Sequence, residues 1–262
     1  MNQIGGLLKL VNEFVAASNT TGSTGLAVTA TFYNEDGGFV GEVSNQMSSG
    51  SPAWYIYLPA LQFLPEKYRG TVIVNGTSAN GTTVGNMGGI GMAAAVYHVN
   101  YDRNAAISYD AIGATTLAYR TDAQGELPCI TLGFTNCAWA AEVYKTGTAS
   151  ASQVVVGTET GIRLMNVDPL LTGAPAQVVA IYIDDSGVIW DTASQRFVIP
   201  PFGVHTLFPL YDSQIAEVFR GTVRIMSTGN FVVGVANTVD YTVTDHDASG
   251  AYNLQYNTGR SR

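Results

Sequence analysis

Few residues of this sequence have the types and spacing that enzymatic chemistry requires. The histidines are His98, His205 and His246, and no two of them have the spacing of a metal-binding pair. His205 lies in an apolar, strand-like segment, which predicts a structural role for it. No G-x-S-x-G segment is present to carry a nucleophilic serine. The sequence therefore predicts a protein that is not an enzyme and uses no cofactor.

Two further patterns have both a chemical and a structural interpretation. GIGMAA (89–94) fits the G-x-G-x-x-A dinucleotide motif, but a strand-like alternation follows it where that motif requires a helix. Acidic residues recur in two similar turns, NEDGG (34–38) and DDSG (184–187). Carboxylates at such a turn can bind calcium. Their recurrence at equivalent turns favours turn formation instead.

The cysteines and the Asn-X-Thr segments indicate modifications that are typical of secreted proteins. Cys129 and Cys137 are predicted to form a disulfide that closes a local loop, with two buried thiols as the alternative. Asn19, Asn75 and Asn80 begin glycosylation sequons. All three asparagines are predicted to lie in loops, and their glycosylation depends on secretion by a glycosylating route.

The composition excludes several classes of partner. Only 12% of the residues are charged and the net charge is −8, so no basic face is expected for nucleic acid or an anionic membrane. The sequence has no apolar run long enough to predict a membrane span. The N-terminal segment has no basic region before its apolar stretch and is not predicted to be a signal peptide. A surface of Thr, Ser, Asn and Gly suits an extracellular or cell-surface protein that packs against copies of itself.

The sequence also contains an internal repeat, most clearly in EKYRGTV (66–72) and EVFRGTV (217–223). Other segments match in the same order: GLLKLVN (6–12) with GIRLMNV (161–167), 26–40 with 177–190, WYIYLP (54–59) with HTLFPL (205–210), 95–101 with 235–241, and 107–112 with 251–256. Apolar and polar residues alternate in these segments, as in half-buried strands. The sequence predicts an all-β protein with two tandem Ig-like antiparallel β-sandwich domains related by internal duplication.

The predicted domains are residues 1–118 and 153–262, joined by a connecting segment, 119–152, that contains the cysteines. QVVVG (153–157) is predicted to be the leading strand of the second domain. The first domain has no evident counterpart of that strand.

A sandwich that lacks a strand has an open edge, which must be covered or paired. Residues 1–16 and the tail 249–262 are the candidate strands for pairing with the edge of a neighbouring copy. Apolar residues within 4–15 also fit an amphipathic helix, but a strand is the favoured prediction.

The repeated phrase is interpreted as one structural joint that occurs once per domain. The aromatic residue is expected to plug the end of the sandwich, the glycine to permit a sharp entry into the next strand, and the arginine to remain near solvent or bind a loop carbonyl. The joint residues are Tyr68, Arg69 and Gly70 in the first copy, and Phe219, Arg220 and Gly221 in the second.

The second copy resembles a known family in several segments. These segments are GIRLMNV, VVAIYIDDSG, IPPFGVHTLFP, FRGTVRI and FVVGVANTV. Their order is similar to that of the tandem Ig-like β-sandwich repeat domains of large secreted bacterial cell-surface proteins. The first copy departs from it at MSSGSP (47–52). The resemblance implies extracellular, non-catalytic modules and carries over no functional residues.

These observations give one leading hypothesis and two alternatives. The leading hypothesis is an extracellular structural protein that self-assembles, by strand donation between subunits, into a filament, sheath or surface layer. The first alternative is a secreted carbohydrate-binding module or adhesin, in which Trp54, Trp139, Trp190 or tyrosines stack on sugar rings. The second alternative is a viral coat protein.

Overall fold

The structure of the chain is a computed structural model. It describes residues 11–19, 26–47, 53–66, 68–78, 83–84, 92–100, 105–110, 136–146, 148–149, 155–167, 172–240, 242 and 249–256. The chain divides into two compact units, Met1–Ala118 and Tyr119–Arg262. The regular elements of the described residues are β-strands in antiparallel pairs and two short 3-10 turns. The predicted all-β class is therefore confirmed.

The described strands of the first unit form two sheets of four. They are β1 (Val11–Asn19), β2 (Leu26–Asn34), β3 (Phe39–Met47), β4 (Ala53–Tyr57), β5 (Gly70–Ser78), β6 (Thr83–Val84), β7 (Met92–Asn100) and β8 (Ala105–Asp110). One sheet has the order β4-β1-β7-β8 and the other the order β3-β2-β5-β6. A 3-10 turn, Leu58–Ala60, follows β4.

The core of the first unit follows from the alternation in the sequence. Val28, Ala30 and Phe32 of β2 are buried, whereas the residues between them are half-buried. Phe32 lies in the same buried cluster as Ile56 of β4, which belongs to the other sheet. The two sheets therefore share one apolar core in a sandwich-like arrangement.

The second unit has eleven described strands, nine of which form one continuous sheet. The strands are β9 (Asn136–Lys145), β10 (Thr148–Ala149), β11 (Val155–Val156), β12 (Thr158–Asn166), β13 (Ala176–Asp184), β14 (Ile189–Ile199), β15 (Val204–Leu207), β16 (Phe219–Thr228), β17 (Val232–Asp240), β18 (Ser249–Asn253) and β19 (Gln255–Tyr256). The sheet order is β14-β13-β16-β9-β12-β17-β18, with β15 beside β12 and β19 beside β9. A 3-10 turn, Pro209–Tyr211, follows β15.

Side chains from both halves of this long sheet form the core of the second unit. Tyr182 of β13 and Phe219 of β16 lie in one buried cluster with Ile162 of β12 and Ala236 of β17. Val143 of β9 belongs to the same cluster. Strand β9 therefore links the two halves of the sheet both by pairing and by packing.

The leading strand of the second unit is not the predicted one. QVVVG contributes only Val155–Val156, which pair with Thr148–Ala149. The strand beside β16 is instead β9, which lies within the predicted connecting segment. The prediction failed because Ala and Glu give β9 a weak strand signal, whereas the valines of QVVVG give a strong one.

The N-terminal repeat match is also corrected. In the first unit the strand that pairs with β4 and β7 is Val11–Asn19, in agreement with the favoured strand prediction for its described part. Val15 lies opposite Ile56, as Ile162 lies opposite Leu207 in the second unit. The structural counterpart of 158–166 is therefore 11–19, whereas the sequence match had paired 161–167 with 6–12.

Candidate functional site

The two copies of Arg-Gly-Thr-Val place a glycine at the same point of each unit. Gly70 lies opposite Asn34 across β5 and β2, and Gly221 lies opposite Asp184 across β16 and β13. A β carbon on Gly70 would collide with the carbonyl oxygen of Tyr33, and one on Gly221 with that of Ile183. The glycine is therefore required by the close approach of the neighbouring strand. The predicted reason, a sharp entry into the next strand, stays a prediction beside this close approach.

The residue opposite each glycine organises the adjoining acidic turn. Asn34 Oδ1 accepts hydrogen bonds from the backbone N–H groups of Asp36, at 3.0 Å, and Gly38, at 2.7 Å. Asp184 Oδ1 accepts the equivalent bonds from Ser186, at 3.0 Å, and Val188, at 2.9 Å. Both side chains thus replace missing backbone partners within a tight turn.

Asp184 accepts two further hydrogen bonds, both from side chains. Its Oδ1 atom accepts a 2.6 Å hydrogen bond from the Ser186 hydroxyl, and its Oδ2 atom accepts a 3.0 Å bond from Trp190 Nε1. These two bonds, together with that from the Val188 amide, lower the pKa of Asp184 to about 2. Among the described residues, no group of three or more His, Cys, Asp or Glu side chains is arranged to hold a metal ion.

In each unit the aromatic residue of the joint packs against an aromatic residue of the neighbouring strand. The tyrosine of the pair is the joint residue in the first unit and its partner in the second. Phe32 and Tyr68 contact edge to face with ring centroids 6.1 Å apart, and Tyr182 and Phe219 do so at 5.8 Å. The Tyr68 hydroxyl donates to the carbonyl oxygens of Tyr33 and Thr71, at 2.7 and 2.9 Å. Each aromatic residue therefore joins a strand end to the core.

The Tyr182 hydroxyl has a different environment from that of Tyr68. It is buried and has no hydrogen-bond partner within the described part of the chain. Burial, followed by the charge of Asp212, raises the pKa of Tyr182. Because Phe219 carries no hydroxyl, the second unit lacks the two bonds that Tyr68 makes.

The arginines of the joint lie at the surface. Arg69 is exposed. Arg220 lies over the Tyr144 ring, with 5.4 Å between its Cζ atom and the ring centroid. Its Nε atom is 3.6 Å from Asp185 Oδ2, with both side chains largely exposed. An exposed pair of this kind contributes little to stability.

The described parts of the two units differ beside the joint. In the second unit β9 pairs with β16 from Phe219 to Ser227. In the first unit, among the described residues, β5 pairs with β2 over its whole length but with β6 only at Gly76 and Thr77. The Val72–Asn75 segment of β5 thus has no described strand at the place that β9 occupies beside β16. We call this segment the β5 edge.

A buried lysine secures β9 in the second unit. Lys145 is 6% exposed. Its Nζ atom donates to the carbonyl oxygens of Asp212, at 2.7 Å, and Ile215, at 2.9 Å. The backbone N–H of Ile215 also bonds to the Asp212 carbonyl, which closes a turn. The ammonium group is therefore desolvated but bonded to two backbone acceptors.

The first unit contains the same turn. The N–H of Leu64 bonds to the Leu61 carbonyl oxygen, as that of Ile215 bonds to Asp212. Each turn follows a 3-10 turn at the same spacing, Leu58–Ala60 in one unit and Pro209–Tyr211 in the other. Within the described residues no lysine is placed at the Leu61–Leu64 turn. The β5 edge and this turn together form the candidate site.

The remaining predicted site residues do not come together at one place. Asn75 is an exposed residue within β5, so its predicted loop position is wrong, and Asn19 is the last residue of β1. Cys137 lies in β9 opposite Met226. Cys129 and Asn80 lie outside the described residues, so the disulfide and the third sequon stay predictions.

His205 lies in β15 with its ring stacked on that of Phe197 at a centroid separation of 3.9 Å. Burial lowers the pKa of His205. The tryptophans proposed for sugar stacking are packed where their side chains are described: Trp54 contacts the core of the first unit and Trp190 that of the second. Among the described residues no helix is long and apolar enough to cross a bilayer.

Comparison with known proteins gives little. No family model and no curated protein matches the chain. A solved structure described as the crystal structure of Thermotoga maritima 1070 is similar over 48% of this chain and 97% of its own, with 13% identity and a TM-score of 0.37. At that TM-score the similarity carries no argument about fold or function.

Proposed function

We propose that this chain is an extracellular structural protein whose copies assemble through the β5 edge into a filament, sheath or surface layer. The observation that carries the proposal is the difference between the units: β9 completes the sheet beside β16, whereas the β5 edge has no such strand among the described residues. An extended strand edge pairs readily with another chain through backbone hydrogen bonds.

The proposal includes two related Ig-like sandwiches that arose by duplication. Its support is the agreement of strand order: β4-β1-β7-β8 corresponds to β15-β12-β17-β18, and β3-β2-β5 corresponds to β14-β13-β16. The glycine joint and the Asn34 and Asp184 turns recur at matching registers. With this correspondence, the first unit differs from the second mainly by the absence of a β9 equivalent from its described residues.

The surface suits repeated contact between copies. Charged residues are scarce, and the net charge of −8 is spread over 262 residues. Several large apolar side chains of the first unit are exposed, among them Phe39 at 63% and Tyr55 at 69%. Low charge reduces repulsion between like subunits, and exposed aromatic side chains provide contact area. The packed Trp54 and Trp190 do not favour the sugar-binding alternative.

A head-to-tail contact of this kind produces an open polymer unless its rotation closes a ring. The proposal is tested by sedimentation velocity and negative-stain imaging of the purified chain over a range of concentrations. Concentration-dependent growth into fibres or sheets is expected. A chain that remains a single-sized monomer at the highest attainable concentration would refute the proposal.

A further inference from the structure

We propose that the outer face of the sheet β4-β1-β7-β8 in the first unit binds a neutral oligosaccharide, whose sugar rings stack on Tyr55 and Tyr57. We call these two residues the tyrosine platform. The proposal adds a ligand-binding activity to the chain and does not depend on assembly through the β5 edge. It starts from the alternation of side chains along β4.

Strand β4 presents both tyrosines on its outer face. Ile56 is buried and Trp54 packs against the same core, whereas Tyr55 is 69% exposed and Tyr57 is 45% exposed. Residues two positions apart on a strand share one face and lie about 6.8 Å apart. The two rings therefore lie in succession on one face, at a spacing that suits neighbouring units of a sugar chain.

The residues beside Tyr55 in the sheet are small. Ala16 of β1 lies opposite Tyr55, and Ala95 of β7 lies opposite Ala16. Ala95 is half-buried. Because alanine has no atoms beyond its β carbon, this row gives the sheet a low surface next to an exposed aromatic ring. A flat ligand can therefore lie along the row and contact the ring.

The chemistry of this face favours a sugar. A tyrosine combines an apolar ring with a polar hydroxyl, and a sugar ring likewise has C–H groups on its face and hydroxyl groups at its edge. Among the described residues, Asp110 is the only charged one that the register places in the rows of Tyr55 and Tyr57. A neutral ligand thus suits this face better than an anionic lipid or a nucleic acid.

A second copy of the chain suits the tyrosine platform less well than a sugar does. An aromatic side chain buries about 150–250 Å², and both tyrosines are only partly exposed. Their combined area is well below the about 800 Å² that each partner contributes to a standard protein interface. An oligosaccharide, by contrast, needs only the stacking of its rings on the two side chains.

The corresponding face of the second unit lacks the platform. By the register, Thr206 and Phe208 hold the positions of Tyr55 and Tyr57. Arg163, which is exposed, lies opposite Thr206. The second unit therefore has one aromatic ring instead of two, and a charged residue at the position of an alanine in the first unit. Thr206 thus provides a matched control for Tyr55.

The test titrates cellohexaose, chitohexaose, xylohexaose and maltohexaose onto the full chain by isothermal titration calorimetry, at a protein concentration below the onset of assembly. We expect at least one hexasaccharide to bind one to one. Tyr55→Ala should weaken that binding about tenfold, whereas Tyr55→Phe keeps the ring and should keep most of the affinity. Thr206→Ala should have no effect. Failure of all four sugars to bind, or full affinity in Tyr55→Ala, would overturn the proposal.

The location is tested by acetylation of tyrosine hydroxyls with N-acetylimidazole, followed by mass spectrometry. The bound hexasaccharide should slow the acetylation of Tyr55 and Tyr57. Tyr211 is the control, because it is 63% exposed in the second unit, and its acetylation should not change. Slowing that is equal at Tyr211, or absent at Tyr55, contradicts the platform as the site.

Sugar binding and assembly can fail separately. If the chain stays monomeric but binds a hexasaccharide through Tyr55, the proposed function is wrong and this proposal stands. If no hexasaccharide binds and Tyr55→Ala raises the concentration needed for assembly, the two tyrosines belong to a contact between copies. That outcome overturns the oligosaccharide site and leaves the proposed function intact.

Discussion

Gly221 lies so close to Ile183 on the neighbouring strand that a β carbon on the glycine would overlap the isoleucine carbonyl oxygen. Gly70 and Tyr33 have the same relationship in the first unit. The obstacle in both cases is backbone, which cannot move aside as a flexible side chain can. The glycine of the repeated Arg-Gly pair therefore lies where two strands approach each other closely in each unit.

Replacement of either glycine by alanine is expected to lower the free energy of unfolding. Gly70→Ala and Gly221→Ala should each cost about 3 kcal/mol, because overpacking against backbone is at the upper end of the usual cost. Urea unfolding measures the effect. Gly250→Ala is the matched control, since a β carbon at Gly250 meets nothing within 4 Å. A loss at Gly221 no larger than that at Gly250 would show that the strands separate at little cost.

Loss of the buried ammonium group should destabilise the second unit. Lys145→Met leaves the carbonyl oxygens of Asp212 and Ile215 without their charged donor, and we expect a cost of about 2 kcal/mol. Arg196→Met, which removes an exposed cation from β14, is the control and should have a small effect. If Lys145→Met is as stable as the control, the lysine does not secure β9.

Replacement of tyrosine by phenylalanine is expected to change the stability in opposite directions in the two aromatic pairs. Tyr68→Phe removes hydrogen bonds to two carbonyl oxygens and should cost about 1 to 2 kcal/mol. Tyr182→Phe removes a buried hydroxyl that has no described partner and should be neutral or stabilising by up to about 1 kcal/mol. Thermal unfolding of the two variants measures whether each is less or more stable than the unmodified chain. A destabilised Tyr182→Phe variant contradicts the assignment.

Acid should weaken the second turn through Asp184. The folded-state pKa is about 2 and the ordinary value is 3.8, so the ionised carboxylate stabilises the fold above about pH 4. That contribution is lost as the pH falls through about 2. Unfolding followed by tryptophan fluorescence should show a steeper loss of stability between these values in the unmodified chain than in Asp184→Asn. Asp185→Asn is the control and should follow the unmodified chain.

The repeat in the sequence located the joint but not the physical reason for it. Two copies of Arg-Gly-Thr-Val predict a shared role for Gly70 and Gly221, because the pattern recurs within matching strand segments. The cause, a carbonyl oxygen on β2 or β13, lies about 37 residues away along the chain. Local sequence contains no signal for such a contact.

The candidate site was predicted only in outline. The unequal repeat predicted that one copy contains a strand without an evident counterpart and assigned that strand to QVVVG, whereas the strand beside β16 is β9; the missing counterpart stays a prediction. Residues 11–16 and 249–256 of the candidate donors already pair within the chain, in β1, β18 and β19. The role of Lys145 was missed, because a single lysine in a strand usually indicates a solvent-exposed position.

The β5 edge is tested most directly by hydrogen–deuterium exchange of its backbone amides in dissociated and assembled chains. The account predicts rapid exchange of those Val72–Asn75 amides that do not bond to β2 in the dissociated chain, and protection of the same amides after assembly. The equivalent Val223–Met226 segment, which pairs with β9, should be protected in both states. Protection of Val72–Asn75 that is equal in both states, or that fails to increase on assembly, would contradict the account.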